Sequence, residues 1–144
     1  HHVDACCMYM VAAPAQYDVI VVPNMFGDII TDLGAAIAGG MGIAASGNLN
    51  PDPRNPAPSM FEPVHGSAPD IAGQNIANPI AAIDSIGLLL RETGRIESDP
   101  AAVKAGELIG QAVQKVTPNF AGKRLDRSGY KCDEVGQMVI DALG

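Results

Sequence analysis

Two aspartates, Asp28 and Asp32, stand four residues apart in a segment that the sequence predicts to be helical. This spacing places both carboxylates on one face of the helix. Adjacent carboxylates repel unless a cation or a proton relieves them, and Mg²⁺ or Mn²⁺ commonly binds one or two protein carboxylates together with substrate and water. Alternatively, Asp28 interacts favourably with the helix dipole and Asp32 is only solvated. The helix follows a predicted strand, where α/β proteins place ligand sites, and this favours the metal interpretation.

A second candidate region is the irregular segment 61–79, which reads FEPVHGSAPDIAGQNIANP. Its glycines and prolines exclude a regular helix or strand, and such an elaborate loop is typical of ligand binding. His65 could act as a base, as a ligand or as a stacking surface. Asp70 could accept both hydroxyls of a ribose, as a carboxylate does in sites that prefer NAD to NADP. A triad of Ser67, His65 and Asp70 is rejected because no G-x-S-x-G elbow surrounds the serine.

The stretch GMGIAA at positions 40–45 matches a loose dinucleotide fingerprint, G-x-G-x-x-A. That fingerprint requires a strand before it and a helix after it, because the pyrophosphate binds at the helix N-terminus. Here a predicted helix precedes the match and a turn-rich segment follows it. We therefore interpret these glycines as structural.

Local signals predict the elements that must position these residues. Asn24, the Asn78-Pro79 pair and the Asp99-Pro100 pair are typical helix starts, and Gly39-Gly40, Gly94 and Pro118 are typical helix ends. The resulting prediction is helices over roughly 3–13, 24–38, 78–93, 100–117 and 133–143, and strands over 17–22, near 43 and over 60–62. Strands that alternate with helices indicate the α/β class.

Composition excludes several functional classes. The net charge of −7 and the scattered basic residues argue against nucleic acid, and no apolar run approaches the roughly 20 residues that span a bilayer. Residues 5–13 faintly imitate a signal-peptide core but lack a basic n-region. Three cysteines, two of them adjacent, fit neither a disulfide framework nor a zinc site. Reduced, buried thiols in a cytoplasmic protein are the expectation.

The sequence EPVHGSAPDIAG followed by IANP resembles, almost letter for letter, the cofactor loop of the decarboxylating β-hydroxyacid dehydrogenases. This family includes isopropylmalate, isocitrate, tartrate and D-malate dehydrogenases. NMFGDIITD is similar to its metal helix, and HHVDACCMYMV to the segment that carries its third metal carboxylate. The resemblance implies the C-terminal portion of an isopropylmalate dehydrogenase-like α/β fold, with a mixed sheet flanked by helices. SGNLNP with the proline-rich insertion 51–58 looks more like the tartrate and D-malate enzymes.

The resemblance also implies roles for individual residues. Asp28 and Asp32 would bind Mg²⁺ or Mn²⁺ together with the substrate, and Asp4 would complete a metal site of the neighbouring subunit. Asp70 would hold the ribose hydroxyls of NAD and exclude a 2′-phosphate. The residues expected to line the adenosine side of the cofactor pocket are Glu62, His65, Gly66, Ser67, Ala68, Asp70 and Asn78.

The implied activity is NAD-dependent, metal-dependent oxidative decarboxylation of a malate-type 2-hydroxy acid, either tartrate or D-malate or 3-isopropylmalate. No catalytic residue is expected on this chain, because the arginines, tyrosine and lysine of the family's motifs are expected upstream. The chain alone is therefore expected to be inactive. Residues 1–38 would belong to a dimer-forming and metal-binding domain, and residues 39–144 to the cofactor domain. A homodimer, or association with the missing N-terminal portion, is expected. The alternative is a non-catalytic module that only binds cofactor or dimerises.

Overall fold

The computed structural model describes residues 1–52, 54–55, 57–120 and 128–144. The described residues form the helices α1 (Val3–Ala12), α2 (Asn24–Ala38), α3 (Ile80–Ile96), α4 (Pro100–Val116) and α5 (Cys132–Leu143), and the strands β1 (Ala45–Asn48) and β2 (Met60–Pro63). Short 3-10 turns lie at Pro14–Gln16, Met41–Ile43, Pro69–Ile71 and Thr117–Phe120. The α/β expectation and the predicted helices are confirmed. Among the described elements, none is a helix long and apolar enough to cross a membrane.

The hydrophobic core lies between α3, α4 and α5. Ile80 and Val135 are completely buried, and each such side chain contributes about 1.5–3 kcal/mol through the hydrophobic effect. The other buried members of this core are Ala112, Val113, Val116, Phe120 and Val139. The apolar spacing predicts burial of Ile80 on α3 and of one face of α4 and α5. The structure confirms this for Ile80, for Ala112, Val113 and Val116 on α4, and for Val135 and Val139 on α5, but Leu108, on the same predicted face of α4, is 39% exposed. Ile86 and Leu89, also expected to be buried, are exposed on α3.

Glycines allow α3 and α4 to approach closely. A Cβ atom on Gly106 would lie 2.5 Å from the carbonyl oxygen of Gly87 and 2.7 Å from the backbone nitrogen of Arg91. A Cβ on Gly94 would lie 2.8 Å from the backbone nitrogen of Val103. The prediction that α3 ends at Gly94 is therefore wrong by two residues, because this buried glycine makes room for α4 and the helix continues to Ile96.

The start of α4 follows the local signal. Asp99 is the N-cap, and its Oδ1 accepts hydrogen bonds from the backbone nitrogens of Ala101 (2.9 Å) and Ala102 (3.2 Å). Pro100 occupies the first helical position, where no backbone donor is required. The capping side chain satisfies donors that would otherwise have no partner inside the helix.

The two strands form an antiparallel ladder that runs from Ala45 opposite Pro63 to Asn48 opposite Met60. This small sheet packs against α3, where the face of Gly47 lies against Phe61 and Leu88. The predicted strand at 60–62 is confirmed. The strand predicted near Ile43 begins two residues later, after a 3-10 turn that ends at Ile43.

The predicted strand over Tyr17–Val22 is wrong for this chain. These residues are not assigned to a strand, and Val19 and Val21 are 81% and 96% exposed. Ile20 and Val22, on the alternate positions, are half-buried and border two clefts of about 490 and 470 Å³. A β-branched run favours extended backbone, but it becomes a strand only with a hydrogen-bonded neighbour. No described residue supplies that neighbour.

Candidate metal and cofactor site

The helix that carries the two aspartates ends as its sequence predicts, but Asn24 is its first residue and not its cap. The N-cap is Pro23, and no side chain makes a capping hydrogen bond there. The helix ends at Gly39, whose φ of +129° is readily adopted only by glycine. Ile30 and Ala35 are buried, whereas Asp28 and Asp32 are exposed. The structure therefore places the two carboxylates one turn apart on an exposed part of α2.

These carboxylates are available to a cation. The Asn24 side-chain amide donates to Asp28 Oδ2 across 3.4 Å, and neither aspartate makes an ion pair with a lysine, arginine or histidine of the described ranges. Like charges at this helical spacing destabilise a helix by roughly 0.2–0.5 kcal/mol. A divalent cation would turn this repulsion into attraction, and exposed carboxylate oxygens are the donors that Mg²⁺ and Mn²⁺ prefer. The residues fit a partial metal site.

Asp4 lies apart from this pair. It occupies the first turn of α1, where its Oδ1 accepts a hydrogen bond from the backbone nitrogen of Ala5 at 2.8 Å. In the part of the chain that the structure describes, no group of three or more His, Cys, Asp or Glu side chains is placed to hold a metal. Asp4 therefore does not join Asp28 and Asp32 within one chain. Its role in a neighbouring subunit stays a prediction.

The segment that we name the cofactor loop, residues 61–79, begins on β2. Glu62 is exposed, and its carbonyl oxygen accepts from the Ser46 hydroxyl at 3.4 Å. His65 is half-buried, with Nδ1 3.0 Å from the carbonyl oxygen of Gly66. If Nδ1 carries the proton in this bond, Nε2 of the neutral ring is an acceptor for a ligand.

The middle of the cofactor loop presents small, exposed residues. A Cβ on Gly66 would meet nothing within 4 Å, and Ser67 is exposed. Ala68 has the left-handed φ of +43°, a conformation that costs an ordinary residue about 1–2 kcal/mol. Asp70 follows in the 3-10 turn, exposed, and its carboxylate accepts no hydrogen bond from the described residues. An open backbone next to an unpaired carboxylate suits a polyhydroxyl ligand.

Asn78 is used by the fold itself. Its Oδ1 accepts from the backbone nitrogen of Ile80, the first residue of α3, at 3.1 Å. The predicted capping side chain thus binds the helix start, although the N-cap residue is Pro79 and not Asn78. A Cβ on Gly42 would lie 2.9 Å from Asn78 Cβ, so this glycine of the rejected fingerprint serves close packing. The close approach of Gly42 places the C-terminal end of the cofactor loop against the turn before β1.

The sequence reasoning missed Asn75. Its side-chain amide donates to Asp133 Oδ1 at 2.8 Å, and its carbonyl oxygen accepts from the Cys132 backbone nitrogen at 2.9 Å. Two hydrogen bonds to the Asp133 carboxylate hold its pKa below the usual value. The bond from the Asn75 amide has the larger effect, and the bond from the Glu134 backbone N–H has the smaller one. Asn75 has a left-handed φ of +56°, which asparagine tolerates better than most residues. This residue preference was the only local sequence signal at position 75, and it gave no indication of the contact with α5.

Comparison with known proteins identifies the family. Residues 1–139 match the profile of isocitrate/isopropylmalate dehydrogenase. The chain belongs to this family. The resemblance drawn from the cofactor loop and from α2 is thereby confirmed.

Relatives and solved structures agree. The chain is 63% identical over 143 residues to a 3-isopropylmalate dehydrogenase of Corynebacterium jeikeium, covering 99% of this chain and 38% of the relative. It matches the crystal structure of an isocitrate dehydrogenase from Methylococcus capsulatus with a TM-score of 0.81 and 35% identity, covering 98% of this chain and 39% of that one. A β-decarboxylating dehydrogenase from Thermococcus kodakarensis matches with a TM-score of 0.73 and 35% identity, covering 98% and 38%. The chain thus spans less than two-fifths of these proteins.

Proposed function

We propose that this chain is the part of a decarboxylating dehydrogenase that carries two metal ligands and the adenosine side of an NAD site. The reaction is oxidative decarboxylation of a 2-hydroxy acid. The observation that carries the proposal is the exposed pair Asp28 and Asp32 on α2, in a chain of the isocitrate/isopropylmalate dehydrogenase family. A divalent cation there would polarise substrate oxygens, and NAD⁺ would accept the hydride.

3-Isopropylmalate is the favoured substrate. The relative from Corynebacterium jeikeium and one from Corynebacterium urealyticum, 48% identical over 143 residues, are both named 3-isopropylmalate dehydrogenase. The turn after Asn48 had favoured the tartrate and D-malate branch, and these relatives do not support that preference. The turn also has its own structural basis, because the Asn50 amide donates to the carbonyl oxygens of Asn55 (2.9 Å) and Ala57 (2.8 Å).

The residues of this chain divide into two groups. Asp28 and Asp32 would hold the cation, with Asp4 serving a neighbouring subunit of a dimer. The cofactor loop would hold the adenosine half of NAD⁺, with Asp70 accepting the ribose hydroxyls and disfavouring a 2′-phosphate. The contacts of α1 with α2, and of α3 with β1, β2 and α4, support a division into residues 1–38 and 39–144.

Metal binding tests the first group. Replacing Asp28 or Asp32 by asparagine keeps the size of the side chain and removes one charge, so we expect Mn²⁺ affinity to fall at least about tenfold, or about 1.4 kcal/mol. Asp141→Asn on α5 is the matched control, because Asp141 is also exposed but lies outside the site. Calorimetric titration of Mn²⁺ into each variant measures the effect. Unchanged affinity in both site variants would refute the metal assignment.

Nucleotide binding tests the second group. NAD⁺ and then NADP⁺ are titrated into the wild type and into Asp70→Lys. We expect the substitution to weaken the binding of NAD⁺ and to strengthen the binding of NADP⁺. The lysine ammonium cannot accept hydrogen bonds from the ribose hydroxyls, but it attracts a 2′-phosphate. Glu107→Lys, an exposed site on α4, makes the same change of charge elsewhere. An equal response of both variants would show a general charge effect and contradict the assigned role of Asp70.

A second candidate is a module that binds cofactor or dimerises without turnover. It is motivated by the partial coverage of the relatives and by the exposed Val19 and Val21, which lack a strand partner among the described residues. Spectrophotometric detection of NADH with 3-isopropylmalate, tartrate or D-malate and this chain alone would exclude it. NAD⁺ binding without NADH formation by the isolated chain is expected under both candidates, because the catalytic residues are expected upstream of this chain.

A further inference from the structure

Asn75 joins the middle of the cofactor loop to the first turn of α5. Cys132 N donates to the Asn75 carbonyl oxygen at 2.9 Å, the Asn75 side-chain amide donates to Asp133 Oδ1 at 2.8 Å, and Asp133 N donates to Asn75 Oδ1 at 3.3 Å. We call these three hydrogen bonds the Asn75 clasp. Asn75 and Asp133 lie 58 positions apart in the sequence.

Helix α5 needs this external partner. The first backbone N–H groups of a helix have no acceptor within the helix, and a side-chain oxygen at the N-cap usually supplies one. The N-cap here is Lys131, whose ammonium has no acceptor lone pair. Glu134 accepts from the Lys131 backbone nitrogen at 2.7 Å, and Asn75 provides the acceptors for Cys132 and Asp133. The helix end and the loop therefore stabilise each other.

The clasp also ties down a part of the loop whose other hydrogen bonds to described elements lie at its two ends. Val64 N donates to Ala44 O at 3.0 Å at one end, and Ile80 N, at the start of α3, donates to Asn78 Oδ1 at the other. Within residues 65–77, the hydrogen bonds that leave the loop toward another described element are those of Asn75. Between Asp70 and Asn75 the chain is braced internally, since the Gln74 amide donates to the Asp70 carbonyl oxygen at 2.8 Å.

We propose that Asn75 is a positioning residue, which holds residues 67–70 of the cofactor loop in the nucleotide-binding conformation by clasping the N-terminus of α5. This inference rests on the proposed cofactor function of the loop. A loop that is ordered before the ligand arrives does not lose further conformational freedom on binding, so its affinity is higher. Asn75 itself does not need to touch the nucleotide.

Calorimetric titration in the full-length protein that carries this sequence tests the inference, with NAD⁺, ADP-ribose and nicotinamide mononucleotide as ligands. Asn75→Ala removes two side-chain hydrogen bonds, and we expect NAD⁺ and ADP-ribose to bind roughly tenfold more weakly. Nicotinamide mononucleotide, which lacks the adenosine half, should bind unchanged. Asp133→Ala should weaken ADP-ribose about threefold, whereas Asp133→Asn keeps an acceptor oxygen and should restore wild-type affinity.

Asp99→Ala is the stability control, because it removes a helix N-cap on α4 with two comparable hydrogen bonds. If Asn75→Ala lowered the melting temperature as this control does, but left ADP-ribose affinity unchanged, the clasp would be structural only and the inference would be overturned. The same conclusion would follow from equal affinities of Asp133→Ala and Asp133→Asn, a pair that remains informative if Asn75→Ala does not fold. Failure of the wild type to bind NAD⁺, NADP⁺ or ADP-ribose would instead refute the proposed cofactor site, and the positioning role with it.

Discussion

Replacing Gly106 by alanine tests the close contact of α3 and α4. The added Cβ would lie 2.5 Å from Gly87 O and 2.7 Å from Arg91 N, both backbone atoms that cannot rotate away. To reach an ordinary contact of 3.4 Å from Gly87 O, the helices must separate locally by 0.9 Å, the difference between 3.4 and 2.5 Å. Overpacking of this kind costs about 1–3 kcal/mol, and a shift forced by backbone atoms belongs near the upper end.

The helix propensity of alanine offsets part of this cost, because alanine is favoured over glycine in a helix interior by about 1 kcal/mol. The net expectation is destabilisation by about 2 kcal/mol. Gly110 on the same helix is the matched control, since a Cβ there would meet only Arg91 Nη1, at 4.0 Å. Gly110→Ala should therefore stabilise the protein by about 0.5–1 kcal/mol.

Urea unfolding followed by circular dichroism at a helix band measures both variants. The midpoint should fall for Gly106→Ala and rise for Gly110→Ala, with similar slopes if the exposed surface on unfolding is unchanged. The effect also bears on the site, because α3 starts at Ile80, directly after the cofactor loop. Equal midpoints for the two variants would refute the reasoning, since they would show that α4 moves away from α3 at little cost.

Two further predictions concern single side chains. Burial, opposed by the charge of Arg91, raises the pKa of Asp84 above its ordinary value of 3.8, so ionisation of this group destabilises the folded protein. Asp84→Asn should be more stable than the wild type at pH 7. This difference in stability should shrink as the pH falls through the raised pKa of Asp84 and vanish below pH 3.8. Thermal melts at several pH values measure it, and a difference that does not change with pH would contradict this prediction. Ala68→Gly should stabilise the protein by about 0.5–1 kcal/mol, because relief of a left-handed alanine exceeds the entropy that glycine adds to the unfolded chain. A lower melting temperature for this variant would show that Ala68 is not strained.

Features that depend on neighbouring residues in the sequence were predicted well. The Asp99-Pro100 pair marks the start of α4, and the Asn78 side chain binds the first backbone N–H of α3, because such a side chain reaches only two or three residues along its own chain. The exposed pair Asp28 and Asp32 follows in the same way, since positions four apart share a face of any helix. The residues of the candidate metal helix could therefore be chosen before the structure was known.

Features that depend on a distant partner were predicted poorly. The run at 17–22 has every local property of a buried strand, yet it lacks a partner among the described residues and exposes Val19 and Val21. Glycine commonly ends a helix, but Gly94 lies inside α3, where it packs against the backbone of Val103 in α4. Local propensity states what a segment can form, whereas pairing and packing decide what it does form.

The sequence by itself determined the approximate positions of the helices, the common face of Asp28 and Asp32, and the resemblance that led to the family. These properties are encoded within short stretches. Only the tertiary structure decided that Gly106 packs on the α3 backbone and that Asn75 clasps the start of α5. Such contacts join residues far apart along the chain, so they exist only once the packing of α3, α4 and α5 has brought those residues together.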